Sequence, residues 1–253
     1  PWNGCVEARA RGSAPNNYHT NDAAPTSGDS LFPAYFAPDE PTFSGSTSSP
    51  YNYDNSYISN SGTPRETTGL PSTSTSYSNH MNRQKNVNKY IGKSITNESD
   101  TDYGPWYNCA ASSIVPMTYK RANIEAGIAA MTASGNTVIP EGLAWGWRTL
   151  SPTEPFTKVE GGPSQPATTL SPYNSTTWQK ILVLMTDGEN NVLSNGGEVN
   201  TLNGTVYSAY GYGKTPLANN RFGTTTSTST DNALDTAMLD LCTNIKASGI
   251  TIT

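Results

Sequence analysis

From Met117 onward the apolar positions of the chain fall into order. In YKRANIEAGIAAMTASG, Ile124, Ile128 and Met131 recur at helical spacing on one face, and Gly135 reads as the stop. The next stretch, SGNTVIPEGLAWGWRTLSP, repeats the pattern: Thr137 leads a helix whose stripe is Ile139, Leu143, Trp147 and Leu150, and Pro152 ends it. Pro140 sits in the first turn, where a missing N–H costs nothing. A different signal follows in KILVLMTDGENN, where Ile181 to Met185 are apolar without interruption. Such a run suits a strand at the centre of a parallel sheet with both faces covered, and it stops at Asp187-Gly188. After an Asn-, Gly- and Thr-rich insertion over about 188–229, STDNALDTAMLDLCTNIKASG predicts a helix. Ser229 or Asp231 would cap it, Leu234, Met238, Leu241 and Ile245 form its stripe, and Gly249 terminates it. ITIT opens another strand. Strand, helix, strand in this order is a βαβ unit, so the predicted class is α/β.

Residues 1–116 lack sustained periodicity and form the first of two predicted regions, a loop-rich insertion with partial order; residues 117–253 form the α/β core. The run from Thr42 to Asn79 is polar and rich in turn formers. It is open to two readings, a disordered linker or an insertion held by aromatic packing; tyrosines and phenylalanines such as Tyr35, Phe36 and Tyr51 favour partial order. No repeat of fixed period marks a solenoid.

Composition narrows the function. Hydrophobic residues make up 34% and charged residues 14% of 253, both low for a globular chain, with a net charge of −5. That balance, with no Lys/Arg cluster, argues against an electrostatic grip on nucleic acid. No run approaches the roughly 20 apolar residues of a membrane helix, and no signal peptide is visible. The opening PWNGCVEARARG reads like the interior of a protein and the closing KASGITIT like a strand stopped midway. The expectation is therefore a part of a longer polypeptide.

Three cysteines occur, without a CxxC. Cys242 falls on the apolar face of the last helix and reads as a small buried hydrophobe. Cys5 and Cys109 lie in loops beside Trp2 and Trp106. A disulfide between them would clip a long loop and imply an oxidising compartment, but spacing does not decide the pairing.

Candidate chemistry centres on the carboxyl end of the ILVLM strand, the edge at which open parallel sheets bind ligands. Asp187 sits at that end, and the helix led by Thr137 brings a hydroxyl to the same edge. A carboxylate and a hydroxyl are hard oxygen donors suited to Mg2+ or another divalent cation. Taken singly, Thr137 reads as an ordinary cap and Asp187-Gly188 as a turn. Other motifs fail. His19 and His80 lie in polar loops, and neither HExxH nor GxSxG occurs. YGYGKTP has Ser208 where a phosphate loop needs glycine. Asp100 and Asp102 lack the rest of a calcium loop. Asn97, Asn174 and Asn203 head glycosylation sequons that read as coincidences of an Asn/Thr-rich chain.

GNTVIPEGLAWGWRTLSP together with KILVLMTDGENN resembles the von Willebrand factor A domain, in the version found in TadG-like proteins of the bacterial tight-adherence pilus system. WNGCVEARAR and LCTNIKASGITI resemble the same family, whereas residues 40–100 do not. The resemblance implies a doubly wound, mostly parallel α/β sheet with long loop-rich insertions. It also implies a metal-ion-dependent adhesion site built from a DxSxS loop, a threonine before a helix and an aspartate after a later strand. The threonine matches Thr137 and the aspartate matches Asp187; no DxSxS occurs in this chain. Glu141 and Glu189 lie near the matched residues in sequence; either could tune the charge there, and both read first as exposed surface.

The function so implied is a non-enzymatic module of the periplasm or cell surface, for adhesion or pilus assembly. It would grip a protein partner through the cation, without nucleic acid and without a membrane segment of its own. The alternative is a self-assembling structural subunit of a surface filament or layer, with a vestigial metal site. An enzyme using Asp187 as acid or base lacks any partner base or nucleophile at recognisable spacing.

Overall fold

A computed structural model gives the fold and describes residues 4–11, 17–38, 42–43, 51–52, 87–90, 105–106, 109, 112–132, 136–186, 188–192, 207–212, 221–222 and 227–253. Asp187, His80, Gly135, Asn97, Asn203, Asp100 and Asp102 lie outside these residues, as does most of Thr42–Asn79. The described elements are β1 (Thr42–Phe43), β2 (Tyr51–Asn52), α1 (Arg121–Ala129), α2 (Ile139–Leu150), β3 (Lys158–Val159), β4 (Thr168–Thr169), β5 (Ile181–Leu182), α3 (Ser227–Ala247) and β6 (Thr251–Ile252), with three short 3-10 turns. None of the helices among the described residues is long and apolar enough to cross a membrane.

The chain forms two compact units. One comprises Pro1–Glu7, Ala34–Cys109 and Val192–Ser227; the other comprises Ala8–Pro33, Ala110–Asn191 and Thr228–Thr253. Residues 8–33 thus belong with the helices of the second half, and residues 192–227 with the loops of the first.

The first unit holds the antiparallel pair β1–β2 and an aromatic core of Tyr35, Trp106, Tyr207 and Tyr212 with Cys109. A disulfide joins Cys5 to Cys109 across 104 positions of sequence. Tyr35 and Tyr212 both meet the Tyr207 ring edge-on, at centroid distances of 5.2 and 4.9 Å. Edge-to-face geometry is the favourable one for such rings. Buried Glu7 accepts from the Tyr207 hydroxyl and pairs with Arg221, so its charge is taken up by two donors rather than left bare.

The second unit carries the βαβ arrangement. β5 and β6 run parallel with Ile181 opposite Thr251 and Leu182 opposite Ile252. The ladder continues past Leu182, because Leu184 N–H donates to Thr253 O at 2.9 Å. Leu143, Ala144 and Trp147 of α2 meet Leu182, Ile250 and the α3 residues Leu241 and Ile245 in one core. Gly146 lets α2 lie close on β5: a Cβ there would stand 3.3 Å from Leu182 Cδ1. α3 begins at Ser227, so Ser229 and Asp231 lie inside it rather than at its cap. Its end matches a Schellman turn: Gly249 N–H reaches Lys246 O, Ile250 N–H reaches Ile245 O, and Gly249 has φ +82°. Cys242 is half-buried at the margin of this core.

Two parts of the pattern fold differently from the sequence reading. β5 is covered on one face only: Leu182 is buried, while Ile181, Val183 and Met185 are exposed, Met185 at 88%. α1 buries no residue, and its apolar positions Ile124 and Ile128 face solvent with Met131. An i,i+4 pair, Arg121 with Glu125, supports the helix instead.

Charge also reaches the interior. Arg9 and Arg148 are both buried, and their guanidinium carbons stand 4.8 and 5.0 Å from the Phe32 ring centre; Arg9 also meets the Tyr18 ring and Arg148 the Trp145 ring. Arg9 donates to the carbonyls of Asn21, Ala23 and Ser30. Burial, then the charge of Arg148, lowers its pKa to about 10. Glu141 is buried, not on the surface, because Arg148 two turns along α2 approaches it at 3.4 Å. Lys180 closes the other end of α2 by donating to Leu150 O, one of the carbonyls a helix leaves open.

Candidate metal centre

The loop after β5 and the segment before α2 meet at a cleft of about 970 Å3. It opens at the carboxyl end of β5, the edge expected for a ligand in a parallel sheet. Thr137, Thr186, Gly188, Glu189, Asn190 and Asn191 line one part of it, Asp231, Asn232 and Asp235 from the first half of α3 another, and Ile139, Leu184 and Met238 add apolar wall. Thr137 is therefore in the cleft. Asp187 lies outside the described residues, and its neighbours Thr186 and Gly188 both line the cleft.

Thr137 does not cap α2. The helix starts at Ile139, Val138 stands at the N-cap position, and no side chain of the local segment closes the turn. The acceptor comes from far along the chain: Asn190 Oδ1 takes the Ile139 N–H at 2.9 Å. Asn190 Nδ2 then donates to Asp235 Oδ1 of α3 at 2.8 Å. Beside it, Asn191 N–H donates to Thr137 O, also at 2.9 Å. Three hydrogen bonds thus tie the post-strand loop to the start of α2 and to α3. Within the loop, Thr186 Oγ1 donates to Gly188 O at 3.2 Å and accepts from Gly188 N–H at 3.4 Å.

The polar side chains lining the cleft offer hydroxyl, amide and carboxylate oxygens, with neither thiolate nor imidazole. That donor set fits a hard divalent cation such as Mg2+ or Ca2+ and not a soft metal. Among the described residues, no three of His, Cys, Asp or Glu converge closely enough to hold a metal by themselves. Hydroxyl and amide oxygens, or water, would have to share in the coordination. By the resemblance, Thr137 and Asp187 would hold the ion, which would supply a positive charge for an anionic partner; of the two, only Thr137 is among the described residues. Glu189 is exposed on the cleft rim.

Sequence reasoning missed Asn190, Asp231 and Asp235. The last two stand four positions apart on one helix face, a visible signal. Asn190 left none, since its partners lie 51 and 45 positions away. No protein-family model, no curated protein and no solved structure matches the chain.

Proposed function

We propose that the chain is a non-enzymatic adhesion or pilus-assembly module of the von Willebrand factor A type, acting in the periplasm or at the cell surface. It binds a protein partner through a divalent cation held at the β5 cleft by Thr137 and Asp187. The observation that supports this reading best is the meeting of the Thr137 segment and the post-β5 loop at one cleft that carries hydroxyl, amide and carboxylate oxygens, joined by the Asn191–Thr137 and Asn190–Ile139 hydrogen bonds. The Cys5–Cys109 disulfide supports an oxidising compartment. A neutral hydroxyl ligand leaves a dication under-neutralised, so a partner carboxylate can complete its coordination.

The test is calorimetric titration of the chain with Mg2+, beside Thr137→Ala and Asp187→Ala. Uptake by the wild type that both substitutions abolish is the expected result. Equal uptake by all three would sink the proposal.

A second reading, a structural subunit of a surface filament or layer, has its own support in the bare apolar side of β5, where Ile181, Val183 and Met185 face solvent. Contiguous exposed apolar surface marks a contact site. On that reading, filaments viewed by electron microscopy survive chelator and are lost with Val183→Asp.

A further inference from the structure

Asn190 is buried, at 6% exposure, between exposed neighbours Glu189 and Asn191. Its amide orientation is fixed by its partners. A backbone N–H only donates and a carboxylate only accepts, so Oδ1 must face Ile139 and Nδ2 must face Asp235. The residue therefore does two things at once. It supplies the cap that α2 lacks locally, two positions beyond Thr137, and it locks the 188–191 loop to α3.

We infer that Asn190 is the positioning residue of the cleft: it sets where the Thr137 corner stands relative to the post-β5 loop, and Asp235 orients it for that task. The inference rests on the cation reading given above. Groups that orient ligands from behind are worth roughly 10–100-fold in metal affinity. The arrangement also makes α3 a lever on the site. A displacement of Asp235 pulls on Asn190, and through it on the start of α2. Asp235 acts here as an acceptor for the amide, not as a cation ligand.

A donor–acceptor swap tests this on the full chain. Asn190→Asp sets a second carboxylate against Asp235 and removes the only donor between them. The double change Asn190→Asp with Asp235→Asn restores a matched pair: the carboxylate at 190 accepts from Ile139 N–H and from the amide now at 235, and net charge is unchanged. Two readouts are taken, Mg2+ affinity by calorimetry and hydrogen exchange at the Ile139 amide. The expected result is an affinity loss of about 10-fold or more in Asn190→Asp, and faster exchange at Ile139 in Asn190→Leu, which has no acceptor to offer it. The swap should return affinity to within about threefold of wild type.

Three results would overturn the inference alone, with the cation reading intact. One is wild-type affinity, or tighter, in Asn190→Asp. Another is slow Ile139 exchange in Asn190→Leu, which offers the Ile139 N–H no acceptor, so that slow exchange there denies the cap. The third is a swap that keeps Ile139 exchange slow but does not restore affinity, which would make the Asp235 carboxylate itself a ligand. Absence of Mg2+ uptake by the wild-type chain overturns the cation reading and the inference together.

Discussion

His19 sets a pH dependence that can be worked out in advance. It lies in the 3-10 turn Tyr18–Thr20 and is 4% exposed. Burial, then the positive charges of Arg11 and Arg148, lowers its pKa from 6.5 to about 4. A depressed pKa on a base means the folded state resists protonation. The unfolded chain takes up the proton near pH 6.5, and the folded chain only near pH 4. Between those values the unfolded state carries more protons, so stability falls as pH falls. Above pH 6.5 the contribution is complete. One pH unit across the window is worth about 1.4 kcal/mol, so the whole window is worth roughly 3 kcal/mol. Urea unfolding of the wild type and of His19→Gln at intervals from pH 4 to 7.5 isolates the term, because other titrating groups cancel in the difference. The wild type should lose about 3 kcal/mol more than the variant on acidification. The chain has two histidines, so an NMR titration compared with the variant assigns the His19 imidazole directly. Parallel stability curves, or a His19 midpoint near 6.5, would refute the reasoning.

Two further outcomes follow from the structure. Gly249→Ala forces an L side chain to φ +82° at the end of α3, at a cost of about 1–2 kcal/mol. The Asn174 amide would stand 2.7 Å from the new Cβ, but it is exposed and can turn aside, so the backbone sets the cost. A urea midpoint that does not move would contradict this. Reducing the Cys5–Cys109 bridge releases a 104-residue separation, worth about 4–5 kcal/mol in the chain-entropy model. Amide protection at Tyr35 and Tyr212, measured by hydrogen exchange with and without reductant, should fall accordingly, and unchanged protection would count against the bridge as a support of the aromatic core.

What the sequence made legible follows from where the determining contacts lie. The α3 stripe and its glycine stop were readable because helix periodicity and a Schellman turn are local: Leu234, Leu241 and Ile245 are buried, and Gly249 closes the turn. The start of α2 was not, because its cap comes from Asn190, 51 positions downstream, and not from Thr137. The β5 run could not reveal its two sides. Every position in it is apolar, so nothing in the pattern separates buried Leu182 from exposed Val183 and Met185. Glu141 misled for the opposite reason, and the burial of Arg148, Arg9 and His19 left no sign in the sequence. Charged and polar residues are expected at the surface, and only the fold shows that two guanidinium groups meet the Phe32 ring and that Glu141 faces Arg148.

The charge distribution around the cleft bears on how a cation there would behave. Asp235 shares its charge with the Asn190 amide, and Asp231 stands on α3 one helical turn before it. Neither is placed by the resemblance among the ligands. A carboxylate that neutralises a dication directly strengthens metal binding but weakens the pull on an anionic partner. A carboxylate held one hydrogen bond behind the site does less of both. On the proposed reading this is the useful arrangement. The acidic rim draws a cation into the cleft by its field, while Asp235 remains engaged with Asn190. Positive charge is then left for a partner's acid. By the same logic hydroxyl donors serve better there than further carboxylates: a site meant to hold a partner must leave the ion short of full neutralisation, whereas a site meant only to stabilise the fold would neutralise it completely.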